Sequence, residues 1–412
     1  MKRDHHTTHL ATTLWGRKTA AVAVVTALAA AGAAWSIPMH HESITLLSGE
    51  VRTFVSRAPT RVQWEGREKN NVILVVIDGA RVQEVFDGVD PVIASQRAFA
   101  DLESFTSGAL LMPELHAWLR DEGTALGAPT DPHGVFASGP NFVSLPGYLE
   151  ILTGHAQSDC QDNECGAVRE KTILDEARER AGARDAVAAF ASWPILGRAV
   201  AKSPDAMVVS AGIDSLYGWA ELKKTPALLR LWETGRPKDS YPGLDGYRTD
   251  VLTARLALAY IEARAPRLTF IALGDTDEYA HKGDYRGYIK ALRQTDLILG
   301  ELRNTLKRSG EWGRRTTVLV TADHGRANDF RNHGGAYPES ARSFVIALGG
   351  QARQEGIITT SAPHRLADIA PTVRHILRLP ARDLNPKPGS MLAEAIVTGD
   401  GKSMALHDRL DR

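Results

Sequence analysis

The sequence predicts an α/β domain, a three-layer α/β/α sandwich in which helices cover both faces of a mainly parallel central sheet. Three observations carry that expectation. Six short apolar runs alternate with segments of helical periodicity. The runs are continuously hydrophobic, which marks strands buried on both faces. Three of them close in aspartate, at Asp78, Asp275 and Asp323, which lines carboxylates along the sheet edge where open α/β sheets bind ligands.

With 412 residues, 43% of them hydrophobic and 24% charged, the chain can bury a large core. Lys plus Arg and Asp plus Glu are equal at 49 each. That balance gives no overall bias toward nucleic acid or an acidic membrane, so no nucleic-acid partner is expected and recognition must be local.

Taken in order, Lys2, Arg3, Arg17 and Lys18 precede an uncharged stretch from Thr19 to Ile37 that reads as the apolar core of an export signal. Its length is near the roughly 20 residues that span a bilayer. Residues 1–37 are therefore expected to be a cleaved signal peptide or an uncleaved single-pass membrane anchor, and small residues in "AAGAAWS" suit cleavage. Either form implies an exported chain, periplasmic or otherwise extracytoplasmic, and tethered to the inner membrane if uncleaved. Residues 38–69 are polar and broken, a linker with room for one hairpin or short strand. The catalytic domain is expected over 70–412.

Within it, "NVILVVID", "DAVAAFAS", "AMVVSAG", "LTFIALGD", "TTVLVTAD" and "SFVIALGG" are the expected strands. Thr249 to Arg264 and Tyr288 to Leu306 are amphipathic crossover helices, and "LADIAPTVRHILRL" is a helix opened by Asp368 as N-cap, with Pro371 in its first turn. Cys160 and Cys165 stand close enough to close a small-loop disulfide, which suits an oxidising compartment.

The chemistry gathers at the aspartates. Asp277 and His281 stand four apart, so a helical turn puts a carboxylate and an imidazole on one face, as in a metal half-site. Asp275 competes with Asp277 for that place, although a six-residue offset from His281 suits a helix less well. Asp323 and His324 are awkward neighbours in a core, but a divalent cation offsets their desolvation. His333, returned by a loop containing Gly and Asn, is a further ligand candidate, as is Asp78. Ser144 precedes an apolar segment; it can cap a helix and also serve as a nucleophile, since a helix N-terminus favours anionic phosphate.

Five motifs then stand in order: Asp78-Gly79, Ser144 two before Pro146 with Thr153-Gly154 beyond, Asp277-x-x-x-His281, Asp323-His324-Gly325, and His333. Together they resemble the metal-binding signature of the alkaline phosphatase superfamily. The match covers about Asn70 to Leu379, and "DIAPTVRHIL" is similar to the closing helix of many members. By pattern the nearest branches are the nucleotide pyrophosphatase/phosphodiesterases and the phosphoglycerate mutase-like proteins.

The resemblance implies an alkaline phosphatase-like fold and two divalent ions, zinc by preference and manganese as the alternative. Asp277, His281 and His333 would hold one ion; Asp78, Ser144, Asp323 and His324 the other. Asn163 would contact a phosphate oxygen, and His364 replaces His333 if that ring faces solvent. The expected reaction is in-line displacement through a phosphoserine on Ser144, with a small-molecule, lipid or nucleotide phosphate ester as substrate. Sulfatases resemble Cys/Ser-x-Pro-x-Arg at the nucleophile, whereas Tyr148 stands at the fifth position here. Phosphoglycerate mutases carry a large domain between nucleophile and Asp-x-x-x-His, whereas only 132 residues lie between Ser144 and Asp277. Arg81, Lys171 and Lys282 are candidate phosphate contacts, and Trp193 and Trp219 candidate stacking surfaces. A monoesterase, a diesterase and a non-catalytic, membrane-tethered binding module all remain open at this point.

Overall fold

Apolar runs covered on both faces become strands whose successive side chains enter opposite cores. In the computed structural model, which describes residues 39–45, 51–57, 69–96, 99–102, 104–213, 215–217, 246–380 and 389–398, this is seen directly. The chain divides into two units, Met1–Ala58 and Pro59–Arg412. In the first, β1 (Met39–Thr45) and β2 (Val51–Arg57) form an antiparallel hairpin with Met39 opposite Arg57. Residues 1–37, with the expected export segment, lie outside the described residues. Among the described residues no helix is long and apolar enough to cross a membrane.

The second unit contains β3 (Asn71–Ile77), β4 (Gly123–Leu126), β5 (Val135–Phe136), β6 (Val187–Ala191), β7 (Val208–Ala211), β8 (Ser215–Tyr217), β9 (Leu268–Leu273), β10 (Thr316–Thr321), β11 (Arg342–Ser343), β12 (Val345–Leu348), β13 (Gly356–Ile357) and β14 (His364–Arg365). Its main helices are α1 (Pro113–Glu122), α2 (Ser144–Thr153), α3 (Ile173–Ala181), α4 (Asp250–Arg264), α5 (Asp275–His281), α6 (Tyr285–Arg308) and α7 (Ile369–Ile376). Nine strands form one sheet in the order β13-β4-β12-β10-β3-β9-β6-β7-β8. Pairing is parallel from β10 through β7, while β12 and β8 run antiparallel to their neighbours.

All six expected runs are strands of this sheet, but "SFVIALGG" supplies the antiparallel β12. Strand β3 shows the layering: Ile73, Val75 and Ile77 enter a core with α1, α4 and α6, whereas Val72, Leu74 and Val76 enter another with α2, α3 and α7. The expected sandwich is therefore present. Both crossover helices form, the second starting three residues earlier than expected, at Tyr285.

One cap differs from expectation. Asp368 precedes α7, but its carboxylate accepts from Arg365 N (2.9 Å) and Ser390 N (2.7 Å), not from the helix's first turn. A 3-10 turn over Leu366–Asp368 runs straight into the helix and leaves Asp368 no extended cap geometry.

Candidate metal centre and active site

The site lies at the carboxyl ends of adjacent strands β10, β3 and β9. Asp78 follows β3, Asp323 and His324 follow β10, and α5 springs from β9 carrying Asp277 and His281. Sheet order alone thus brings together motifs up to 246 residues apart, from Asp78 to His324. Asp78, Asp323 and His324 place ligand atoms within 4.8 Å of one another, as do Asp277, His324 and His333. His281 joins the second group: its Nε2 is 3.0 Å from Asp277 Oδ2 and 3.1 Å from His333 Nε2.

Two backbone carbonyls orient the imidazoles. His324 Nδ1 lies 2.8 Å from Gly325 O, and His333 Nδ1 lies 2.9 Å from Phe142 O. A carbonyl accepts only from an N–H, so each ring carries a proton on Nδ1 and turns Nε2 toward the cluster. The glycines of the motifs are needed for closeness. Gly79 sits at φ 59°, and a Cβ there would lie 2.6 Å from Asp277 Oδ1.

Ser144 is the first residue of α2 and is buried. Its hydroxyl does not cap the helix. Oγ donates to Asp78 Oδ1 at 3.2 Å and lies 3.2 Å from His324 Nε2. Asn163 serves the helix start instead, its Oδ1 accepting from Leu145 N at 2.9 Å. With that carbonyl engaged, only the Nδ2 end of Asn163 can donate to an anion. Asn163 lies in the loop closed by the Cys160–Cys165 disulfide, which forms as expected.

The electrostatics suit a cation. Burial, reinforced by Asp78, pushes the Asp323 carboxyl well above the usual carboxylate range. Burial works against a charge on His324, yet Asp323 and Asp78 outweigh it and lift the imidazole to about 9. For His333, burial and then the positive charges of His324 and Arg326 press the pKa down to about 2. Asp323 Oδ2 is buried without a hydrogen-bond partner and faces His324 Nε2 at 3.6 Å. A buried carboxyl oxygen without a partner, among imidazole Nε2 atoms that give up their protons when a cation binds, fits divalent metal, and mixed N/O donors suit zinc or manganese.

The two ligand alternatives separate cleanly. Asp275 turns away from the cluster: its Oδ1 accepts from Tyr247 Oη (2.9 Å) and Asp250 N (3.3 Å). Asp250 in turn caps the start of α5 through Gly274 N and Asp275 N. His364 is bound instead to Asp368 (3.2 Å) and Glu394 (2.8 Å). Neither residue joins the cluster.

Of the other candidates, Arg81 is buried against Glu84, Asp90 and Asn328 O. Lys171 pairs with Glu179, Lys282 is exposed beside His281, and Trp193 packs on the core. Trp219 lies outside the described residues. The sequence reading missed Arg326, whose guanidinium contacts Asp277. Its signal was a basic residue directly after Asp323-His324-Gly325, a place where only a committed charge survives burial.

The Metalloenzyme superfamily family model matches residues 246–381, a range that holds Asp277, His281, Asp323, His324 and His333. The 2,3-bisphosphoglycerate-independent phosphoglycerate mutase of Rippkaea orientalis is 32% identical over 145 residues, 33% of this chain and 25% of that protein. That of Acaryochloris marina is 31% identical over 153 residues, 35% of this chain and 26% of that protein. The match thus spans about a quarter of the length of these curated relatives. Among solved structures, wild-type alkaline phosphatase PafA superposes with a TM-score of 0.56 at 11% identity, covering 81% of this chain and all of that one, a likeness of fold.

Proposed function

The chain belongs to the alkaline phosphatase superfamily, and from that premise we propose that it hydrolyses phosphate esters through a phosphoserine on Ser144. One observation carries the reading: a buried serine hydroxyl at a helix N-terminus points at Asp78 and His324, within the same cluster that offers bare metal-ligand atoms. Asp277, His281 and His333 would hold one divalent ion, and Asp78, Ser144, Asp323 and His324 the other. Bound ions of this kind lower a hydroxyl's pKa and stabilise the departing oxygen.

The chain's own part is placement. Helix α2 fixes Ser144 Oγ for attack on phosphorus. Ser144 gives up its hydroxyl proton to solvent, the Oγ–P bond forms as the ester O–P bond breaks, and the alkoxide leaves to take a proton from water. Water then splits the phosphoserine, returning Ser144 and releasing phosphate or a phosphomonoester. Asn163 Nδ2 is assigned to a non-bridging oxygen. Tyr148, buried against Phe270, stands where the sulfatase pattern has arginine, which supports a phosphate rather than a sulfate ester.

A diester is the favoured class. Arg81 and Arg326, which follow Asp78-Gly79 and Asp323-His324-Gly325, are both spent on internal partners. Neither can meet the extra charge of a monoester dianion. Small-molecule, lipid and nucleotide diesters share the needed chemistry. Export belongs to the same proposal: the basic-then-apolar segment over 1–37 and the disulfide support it. Full-length protein found only in the cytoplasmic fraction would refute that part.

The test compares a chromogenic phosphodiester with its monoester, using zinc-loaded wild type, EDTA-stripped protein and Ser144→Ala. Diester turnover lost on stripping and in Ser144→Ala is expected. Monoester preference would reverse the class, and no turnover with two zinc ions bound would make the chain a binding module.

A further inference from the structure

Arg326 is 2% exposed and its guanidinium ties three separate segments together. Nε donates to Gly79 O at 3.1 Å, in the turn after β3. Nη1 donates to Arg331 O at 2.6 Å and to Phe330 O at 3.4 Å, in the loop that returns His333. Nη2 donates to Asp277 O at 3.3 Å and pairs with Asp277 Oδ1. With Oδ1 so engaged, Asp277 turns Oδ2 to His281 Nε2 at 3.0 Å. A planar fork with five fixed donors can impose such geometry; an ammonium group cannot.

We propose that Arg326 is a positioning residue for the Asp277–His281–His333 half of the centre, setting the Asp277 rotamer and closing the loop that delivers His333. The inference rests on the binuclear reading above. The other half is held by different contacts. Gly79 N donates to Asp323 Oδ1 at 3.0 Å, Gly325 O orients His324, and Thr276 Oγ1 donates to Asp78 O at 2.6 Å. Arg326 reaches that side through Gly79 O alone, so its influence falls on one ion.

Two effects oppose each other at Asp277. The guanidinium charge reduces what the carboxylate offers a dication, whereas the fixed geometry prepays its placement. Geometry dominates, because partners that orient metal ligands are typically worth about 10- to 100-fold in metal affinity. Arg326→Lys keeps the charge and loses the fork; Arg326→Gln loses both.

The experiment titrates zinc into the full-length stripped protein against a chromogenic chelator, with melting of the stripped protein as the folding control. Wild type is expected to bind two ions. Both variants should keep one ion at wild-type affinity and bind the other about 10- to 100-fold more weakly. The proposal is overturned if folded Arg326→Lys binds both ions as wild type does, if both ions weaken together, or if Arg326→Gln tightens the weaker ion. Loss of fold in both variants also overturns it, since the residue would then serve the fold and not the site. Wild type binding fewer than two ions would instead sink the binuclear reading itself.

Discussion

Gly147→Ala tests whether helix α2, which carries the proposed nucleophile Ser144, is seated on the end of β10 by a contact too close for any side chain. Gly147 lies one turn into α2, and a Cβ there would stand 2.9 Å from the carbonyl carbon of Asp323 and closer still to its oxygen. The obstacle is backbone, so no rotamer change relieves it. Restoring an ordinary contact of 3.4 Å moves helix and strand end apart by about 0.5 Å at the carbon and more at the oxygen. Overpacking of this kind costs about 1–3 kcal/mol, against which alanine's better helix propensity returns about 0.5–1. The net effect on stability is therefore small, about 0.5–2 kcal/mol. The effect on catalysis is larger, because Ser144 rides on the helix and Asp323 and His324 on the strand. A misplacement approaching 1 Å costs up to about 100-fold, so kcat/KM for the chromogenic diester should fall about 10- to 100-fold while urea unfolding still shows a folded protein. Turnover within about threefold of wild type would refute the claim that this contact sets the Ser144-to-cluster distance.

Four further outcomes follow from particular contacts. Asp296 caps α1 from α6, accepting from Leu115 N (2.8 Å) and Glu114 N (3.2 Å), so Asp296→Ala should cost about 1 kcal/mol in urea unfolding; no loss would show the cap to be idle. Burial, opposed by those same N–H groups, raises the Asp296 carboxyl to about 6 from 3.8. The folded state then holds the proton more tightly, so this residue's contribution to stability falls as pH rises from about 4 to 6; Asp296→Asn should remove that slope, and an unchanged slope would place its origin elsewhere. Chelation should lower the melting temperature by several degrees, since removing an ion leaves Asp323 Oδ2 bare; equal melts with and without chelator would argue against a resident metal. Reducing Cys160–Cys165 frees a short loop worth about 2 kcal/mol and loosens Asn163 from Leu145 N, so a dithiol should lower diester turnover more in wild type than in Asn163→Ala.

What the sequence could and could not disclose follows from how each feature is encoded. Strand β3 was legible because burial on two faces demands seven apolar or neutral residues in a row. The same demand is blind to direction: β12 is as buried as β3, yet runs the other way. Two-residue strands such as β5, β11 and β14 carry no period at all, and their pairing is decided by register with distant partners. At the site, the spacing of Asp277 and His281 was informative because a helix converts four residues into one face. The choice of Asp277 over Asp275 needed Tyr247 and Asp250, which reach Asp275 from another segment and hold it away from the cluster.

Arg326 was the least legible residue, and the reason is instructive. A ligand is marked by residue type and spacing, whereas a residue that holds ligands is marked by what it reaches, here backbone oxygens at Gly79, Asp277, Phe330 and Arg331. Backbone oxygens are identical in every sequence, so their recognition leaves no trace in composition or motif. The consequence is that candidate metal ligands can be read from the chain, while the residues that hold them in place are identified only by the folded structure.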